Sequence, residues 1–184
     1  MGVGRYVALL RGINVGGNNL IKMTALAACF EKNGFTAVAT YIQSGNVIFQ
    51  SSERAAEALA RRIEEMLTAA FRYPASVVLL SWRQLEKVVD EAPAKFGTDP
   101  SRYRYDVIYL KPPLTAKEAL ATVPTNPEVD RVHAGPGVLY FSRLSEKASK
   151  SRLSRVVSMP VYRNMTIRNW NTTIKLLERI AAPS

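Results

Sequence analysis

The chain has 184 residues, of which 47% are hydrophobic and 22% charged, and this balance is typical of a globular protein with a core of its own. Its formal net charge of +10 favours contact with phosphates, nucleic acid or other anionic partners. The apolar runs are too short for a membrane span, and no secretory leader is visible, so we expect a cytoplasmic protein with no membrane association. A single cysteine excludes a disulfide framework. We also expect no metal and no cofactor.

The first half of the chain predicts the element order β-α-β-β-α-β. The strands are expected at residues 6–10, 38–43, 47–50 and 76–80, and the helices at about 22–34 and 52–74. Ser51 or Ser52 is expected to cap the second helix, with Glu53 in its first turn. Ser81 and Gln84 then predict a short capped helix.

The same order recurs after a stretch that lacks any periodicity. Strands are expected at 105–110, in a hairpin over 128–143, and at 165–168; helices are expected at 115–122, at 146–158 and from about 171. Thr115 and Glu118 match a capping box. The sequence therefore predicts an α+β fold of two tandem ferredoxin-like (βαββαβ) plaits with an extra C-terminal helix. We expect the first plait and its linking helix over 1–91, a linker over 92–104, and the second plait with its helical tail over 105–184.

Two polar loops of the first half are expected to be neighbours. The first, RGINVGGNN, spans residues 11–19, and the second, QSGN, spans 43–46. In a split β-α-β unit the first and second strands are parallel, so the loops that follow them lie at the same end of the sheet. The candidate ligand-binding residues here are Arg11, Asn14, Gly16, Gly17, Asn18, Asn19, Ser44, Gly45 and Asn46.

Each loop has two interpretations. Backbone N–H groups of residues 16–19, with Arg11 and the N-terminus of the following helix, would bind a phosphate or sulfate. Alternatively, the loop is an ordered turn whose asparagines satisfy its own backbone. The second loop is either part of the same site or a tight turn, in which Gly45 and Asn46 would take positive φ.

The motif RNWNT adds four candidate residues near the C-terminus: Arg168, Asn169, Trp170 and Asn171. One asparagine suffices as a helix N-cap, yet two flank the tryptophan. Trp170 is expected either to pack in the core or to form a stacking surface for a base or another ring.

The positive charge is concentrated in the last 42 residues, which hold nine Lys or Arg side chains against two Glu. The candidate basic surface consists of Lys147, Lys150, Arg152 and Arg155. It is either a contact surface for RNA or a phosphate-bearing small molecule, or a solvated face. The signature of RNA-recognition domains is not met, because alternation places Tyr140 and Phe141 on opposite sides of their strand.

Most catalytic constellations are missing from the sequence. His133 is the only histidine, and it shares an expected exposed strand face with Arg131. A serine triad or a zinc site would depend on this one group. The acidic residues show no paired metal-binding motif. Cys29 lies in a helical pattern and is expected to be a buried thiol.

The stretches LLRGINVGGNN, TYIQSGNVIF and TIRNWNT, in this order, resemble the bacterial family catalogued as domain of unknown function 1697. The resemblance runs from residue 9 to residue 176 and implies a tandem pair of ferredoxin-like subdomains, but no activity. We expect a binding module for phosphate-bearing ligands, a nucleotide or RNA. The alternatives are a ligand-free interaction protein and an enzyme acting on a small anionic substrate; the residues of such an enzyme would be Arg11, Asn14, Ser44, Asn46, Arg168 and Asn171.

Overall fold

The structure is a computed structural model that describes residues 2–14, 17 and 19–182. The fold is α+β, with two four-stranded antiparallel sheets and several helices. The chain divides into two compact units: Gln84–Lys175 forms the second unit, and the rest of the described chain forms the first. No helix in the described part of the chain has both the length and the apolar character needed to cross a membrane.

The first unit is built around one sheet. Its elements are β1 (Gly4–Leu10), α1 (Met23–Lys32), β2 (Thr36–Tyr41), β3 (Asn46–Ser51), α2 (Ala56–Phe71) and β4 (Val77–Ser81), and α3 (Trp82–Asp90) begins at its end. The strand order is β2-β3-β1-β4. Because β3 is antiparallel to both β1 and β2, β1 and β2 point the same way.

One face of this sheet carries the core of the first unit. The rings of Phe30, Phe35 and Phe49 form a cluster with centroids 4.9 to 5.4 Å apart. Tilted ring pairs at this spacing stabilise a core beyond the area they bury. Cys29 belongs to the same cluster and is 8% exposed, which confirms the expected buried thiol. Burial raises the pKa of this thiol.

The start of α2 differs from the prediction. Ala55 is the N-cap and makes no side-chain hydrogen bond there. Ser51 Oγ instead accepts a hydrogen bond from Glu53 N–H, and Glu53 Oε1 accepts one from Ala55 N–H. The expected serine cap is therefore wrong, since these polar groups satisfy a turn that precedes the helix.

At the edge of the first sheet, β2 contains an irregularity. The pairing register between β2 and β3 shifts between Thr36 and Ala39, and Ala37 in between has φ of 48°. This is the geometry of a β-bulge, which inserts an extra residue into one strand and increases the local twist.

The second unit repeats the strand order of the first. Its elements are β5 (Tyr103–Leu110), α4 (Ala116–Thr122), β6 (Asp130–Gly135), β7 (Val138–Leu144), α5 (Leu153–Val156) and β8 (Met165–Asn169), and α6 (Trp170–Ala181) begins at its end. The sheet order is β6-β7-β5-β8. Thr115 and Glu118 form the predicted capping box at α4.

The single helix predicted over 146–158 is wrong. The chain forms a 3₁₀ segment over Ser145–Lys150 and then the four-residue α5. Lys147 has φ of −114° and Ser151 is extended, so no continuous helix forms. Only Leu153 and Val156 supply buried apolar side chains in this region, which is too little to stabilise a longer helix by packing.

The stretch 92–104, which the sequence predicts to be a linker, is packed within the second unit. The Phe96 ring lies edge-on to Tyr105, Tyr140 and Trp170, with centroids 4.9 to 5.4 Å apart. Gly97 has φ of +83°, and a Cβ atom at this position would overlap the indole of Trp170. The glycine thus allows the backbone to approach the ring closely.

Candidate functional site

The two polar loops of the first unit are neighbours, as predicted. Asn14 Nδ2 donates a hydrogen bond to Gln43 O at 2.8 Å. Leu10 N–H donates to Gly45 O, also at 2.8 Å. These contacts join the loop after β1 to the turn after β2.

Asparagine side chains hold the first loop together. Asn14 Nδ2 donates to Ile21 O at 3.0 Å, and Asn14 Oδ1 accepts from Ile21 N–H at 2.8 Å. Asn19 Nδ2 donates to Gly12 O at 2.8 Å. These bonds satisfy backbone groups of the loop itself and favour the interpretation of the described part as an ordered structural turn.

The second loop is a turn closed by a buried asparagine. Positive φ values occur at Ile42 and Gly45, so the expectation for Asn46 is wrong. Asn46 is instead the first residue of β3, and its Nδ2 donates to Tyr41 O at 2.9 Å and to Ser44 Oγ at 3.0 Å. A Cβ atom on Gly45 would lie 2.6 Å from Ile13 Cδ1, so both its conformation and its packing require glycine.

The predicted anion site at residues 16–19 stays a prediction, because Gly16 and Asn18 lie outside the described residues. Gly17 is exposed. Arg11 is half-buried, and its backbone N–H donates to Ser76 O at 3.0 Å. A shallow, mostly apolar pocket of about 530 Å³ lies beside the loop, with Lys22 as its one cationic residue in the described part.

The residues of RNWNT have different roles in the second unit. Arg168 is buried, and its Nη1 donates to Thr166 Oγ1 at 2.8 Å and to Ile167 O at 2.9 Å. Burial lowers its pKa to about 10. This guanidinium is held by its own strand and is a structural group.

The two asparagines of this motif are not equivalent. Asn169 Oδ1 accepts a hydrogen bond from Thr172 N–H at 2.8 Å and so caps the start of α6. Asn171 is exposed. Trp170 between them is half-buried against Phe96 and Gly97. Asn169 therefore caps the helix, whereas Asn171 and the indole of Trp170 line a pocket.

This pocket, with a volume of about 360 Å³, lies at the start of β5. β8 pairs with residues 106–110 of β5, so residues 103–105 extend beyond its end. The pocket therefore reaches side chains from both faces of β5. Those with rings, charges or amides are Tyr103, Arg104, Tyr105, Asp106, Arg143, Asn169, Trp170 and Asn171.

A carboxylate and a guanidinium lie side by side in this pocket. Arg143 Nη2 is 3.2 Å from Asp106 Oδ2, and the two side chains are 23% and 13% exposed. Asp106 Oδ2 accepts no well-aligned hydrogen bond from any described residue. Burial raises the pKa of Asp106, whereas Arg143 and Arg104 act in the opposite direction.

Neither residue of this pair was predicted from the sequence as a site residue. The available signal was an acidic residue in the middle of the apolar strand YRYDVIYL, because a carboxylate at such a position is normally paired or functional. Its partner Arg143 comes 37 positions later, on β7, where its direct register partner is Arg104. Asp106 lies two residues further along β5 and so on the same face of the sheet. Only the sheet register brings the two together.

The four residues of the basic surface are exposed: Lys147, Lys150, Arg152 and Arg155. Ser145 N–H donates to Arg102 O at 2.8 Å, so the segment that carries Lys147 and Lys150 starts next to the beginning of β5. The basic surface therefore begins close to the pocket.

His133 and Arg131 are exposed on β6, as expected from their alternation. Within residues 2–14, 17 and 19–182, no group of three or more His, Cys, Asp or Glu side chains is arranged to hold a metal ion.

The fold and the pocket define a two-unit α+β protein of 184 residues with a polar, aromatic cleft in its second unit. The family model described as "Protein of unknown function (DUF1697)" matches residues 3–140, so the chain belongs to this family and the resemblance seen in the sequence is confirmed. The solved structure of a conserved bacterial protein from Streptococcus pneumoniae is similar to this chain, with 28% sequence identity and a TM-score of 0.85. The match covers 97% of this chain and 99% of that chain. A search of curated proteins found no match.

Proposed function

We propose that the protein is a cytoplasmic binding module for a ligand that carries both a flat ring and a phosphate, namely a nucleotide, either free or within RNA. The observation that supports this proposal is the pocket at the start of β5, which combines aromatic rings with arginines. Its volume of about 360 Å³ is in the range of small-molecule sites.

The ring of the ligand would contact the aromatic side chains. Tyr103 and Tyr105 are half-buried on the same face of β5, with ring centroids 6.1 Å apart, and Trp170 lines the same pocket. Phe96 packs behind Tyr105 and Trp170 and fixes their positions. Stacking of one base on such rings contributes about 1–3 kcal/mol.

The phosphate would contact Arg104, which is exposed and lines the same pocket. A charge-assisted hydrogen bond contributes about 1.5–3 kcal/mol. With one stacked base, the sum is about 4 kcal/mol, which corresponds to a dissociation constant of about 1 mM for a mononucleotide. An RNA strand would bind more tightly, because it would also reach the basic surface of Lys147, Lys150, Arg152 and Arg155.

The fold supports the same class of function. We propose that each unit is a ferredoxin-like plait, since each has the element order β-α-β-β-α-β and two central strands flanked by the second and fourth strands. RNA-recognition domains use a sheet of this kind and stack bases on aromatic side chains of its strands. Fold alone does not define function, so the pocket and not the topology carries the proposal.

The test is a fluorescence titration of the Trp82→Phe protein with nucleoside monophosphates. Trp170 is then the only tryptophan of the chain, and a ring that stacks in the pocket is expected to change its emission. Arg104→Ala should weaken binding about tenfold, since it removes one charged contact. Arg163→Ala is the matched control, because Arg163 is exposed in the same unit and does not line the pocket.

A second titration addresses RNA. Alanine substitution of three residues of the basic surface, Lys150, Arg152 and Arg155, should reduce the salt dependence of binding to a single-stranded oligonucleotide, by about 0.7 in log–log slope for each phosphate that the protein no longer neutralises. The proposal is wrong if neither mononucleotides nor the oligonucleotide alter Trp170 emission at millimolar concentration. It is also wrong if Arg104→Ala and Arg163→Ala have the same affinity.

A further inference from the structure

We infer that the ligand of the second unit is a single strand of nucleic acid rather than a free nucleotide, and that a second cavity beside the base pocket binds the next phosphate of this strand. The inference rests on the proposed nucleotide-binding function and adds the path of the ligand. It depends on Lys95, Arg131 and His133, none of which lines the pocket at the start of β5.

The second cavity lies next to the base pocket. Tyr103 and Tyr105 line both cavities, and no other described residue does, so the two rings form the boundary between them. The base pocket extends towards α6, through Trp170, whereas the second cavity extends towards β7 and β6, through Ser142 and Arg131. A strand that passes over the rings would therefore enter both cavities.

The size of the second cavity suits a phosphate. Its volume is about 170 Å³. Pockets that hold a whole small molecule usually exceed about 300 Å³. The cavity therefore has room for a charged group of the strand, but not for a second nucleoside.

The sheet register places this cavity on the face that carries the rings. Tyr105 is paired with Ser142 on β7, and Ser142 with Arg131 on β6. Direct partners in antiparallel strands have their side chains on the same face. Neighbouring strands lie about 4.8 Å apart, which places Arg131 about 10 Å from Tyr105 across two strand spacings. His133 follows two residues later on β6 and so lies on this face as well.

The side chains of the second cavity include donors that bind phosphate. Lys95, Arg131 and His133 are exposed, and no described residue that lines the cavity is acidic. Arg131 Nη1 donates to Asp130 O at 2.8 Å and to Pro127 O, which holds the guanidinium in place. Both bonds use Nη1, so the Nη2 and Nε donors remain for a ligand. Guanidinium donors form strong charge-assisted hydrogen bonds to phosphate oxygens.

The second cavity also connects the base pocket to the basic surface. Arg152 N–H donates to Asp130 Oδ2 at 3.0 Å, and Asp130 directly precedes Arg131 on β6. Because β6 is an outer strand of its sheet, a strand of nucleic acid that leaves the cavity over Arg131 reaches Arg152 at the sheet edge. Each phosphate neutralised along this path releases counterions and increases the affinity.

The experiment compares ligands that have the same base and different phosphate positions. The Trp82→Phe protein is titrated with AMP, ADP and adenosine 3′,5′-bisphosphate at pH 7.5, with Trp170 emission as the readout. The bisphosphate carries a phosphate on each side of its ribose, as a nucleotide within a strand does, whereas ADP carries both on the 5′ side. We expect the bisphosphate to bind about tenfold more tightly than AMP, and ADP to stay within about threefold of AMP, since one charge-assisted contact corresponds to about tenfold.

The variant Arg131→Ala tests the contact directly. It should reduce the affinity for the bisphosphate about tenfold and change the affinity for AMP less than about twofold. Arg163→Ala is the matched control and should change neither, because Arg163 is exposed in the same unit and lines neither cavity. Circular dichroism checks that Arg131→Ala folds. If it does not fold, His133→Ala decides, and it should weaken binding of the bisphosphate alone, by about fivefold.

The outcomes separate the inference from the proposed function. Equal affinity for AMP and the bisphosphate would overturn the inference and leave a site for a free nucleotide in place. An equal gain for ADP and the bisphosphate would also overturn it, because the second phosphate would then need no place beyond the rings. So would a loss of AMP and bisphosphate affinity by the same factor in Arg131→Ala. If none of the three ligands binds, the proposed function fails together with the inference.

Discussion

Asn14 is the residue on which the first loop of the chain depends, and its removal gives a direct test. Its side chain makes three hydrogen bonds, to Ile21 O, from Ile21 N–H and to Gln43 O. The backbone at Asn14 has φ of 53°. Asn14→Gly removes the side chain and leaves a residue that adopts this conformation without strain.

The loss of stability expected for Asn14→Gly follows from the number and the burial of these hydrogen bonds. A hydrogen bond within a folded protein contributes about 1 kcal/mol net, so the upper bound for three is about 3 kcal/mol. Two of them involve Ile21, which is 5% exposed, and the third is exposed. We therefore expect a loss of about 2 kcal/mol, or a decrease of about 4–8 °C in melting temperature for a chain of this size.

Urea denaturation followed by circular dichroism measures this loss. Asn19→Gly is the matched control: Asn19 lies in the same loop, has φ of 47° and makes one exposed side-chain bond, to Gly12 O. Its loss should not exceed about 1 kcal/mol. If Asn14→Gly costs no more than Asn19→Gly, the asparagine does not hold the loop together, and its side chain becomes a candidate ligand contact again.

Three further outcomes are expected. Thr115→Ala removes one half of the capping box of α4 and should cost about 1 kcal/mol in urea denaturation, with an unchanged m-value; no loss would show that the cap is unnecessary. Gly97→Ala should cost more than about 1 kcal/mol and alter Trp170 emission, because φ is +83° and the added Cβ overlaps the indole; unchanged emission would contradict this. The raised pKa of Asp106 means that the folded protein holds this proton to higher pH than the unfolded chain, so stability should fall as pH rises just above the ordinary value of 3.8. Asp106→Asn should lack this decrease in a series of urea midpoints, and an equal decrease in both proteins would exclude Asp106 as its source.

Local patterns in the sequence were sufficient to predict most helices and strands. The apolar spacing of α1, the alternation along β6 and the capping box at Thr115 each depend on neighbouring residues, and all three are as expected. The adjacency of the loops at Asn14 and Gln43 followed from the parallel directions of β1 and β2, which is a property of the element order.

Where the prediction was wrong or incomplete, a contact between residues distant in sequence, or a competing local hydrogen bond, determined the structure. Ser51 and Glu53 have the composition of a helix start, but their side chains bond to backbone N–H groups just ahead of the helix and form a turn instead. The segment 145–158 mixes helix-forming residues with serines and valines, and few of its side chains have a core to pack against. Asp106 and Arg143 are far apart in sequence, so their proximity becomes visible only once β5 and β7 are paired.

We expect the bulge at Ala37 to limit the self-association of the first sheet. An outer strand with a long regular ladder of free N–H and C=O groups is a template on which a second molecule can add its own strand. In β2 the regular pairing is interrupted between Thr36 and Ala39, so the uninterrupted stretch is only residues 39–41. Three residues with an increased twist at one end give a poor match to a straight foreign strand. A deletion of Ala37 that restored a regular ladder would lengthen this template, and we expect such a protein to form aggregates at concentrations at which the natural chain stays dispersed.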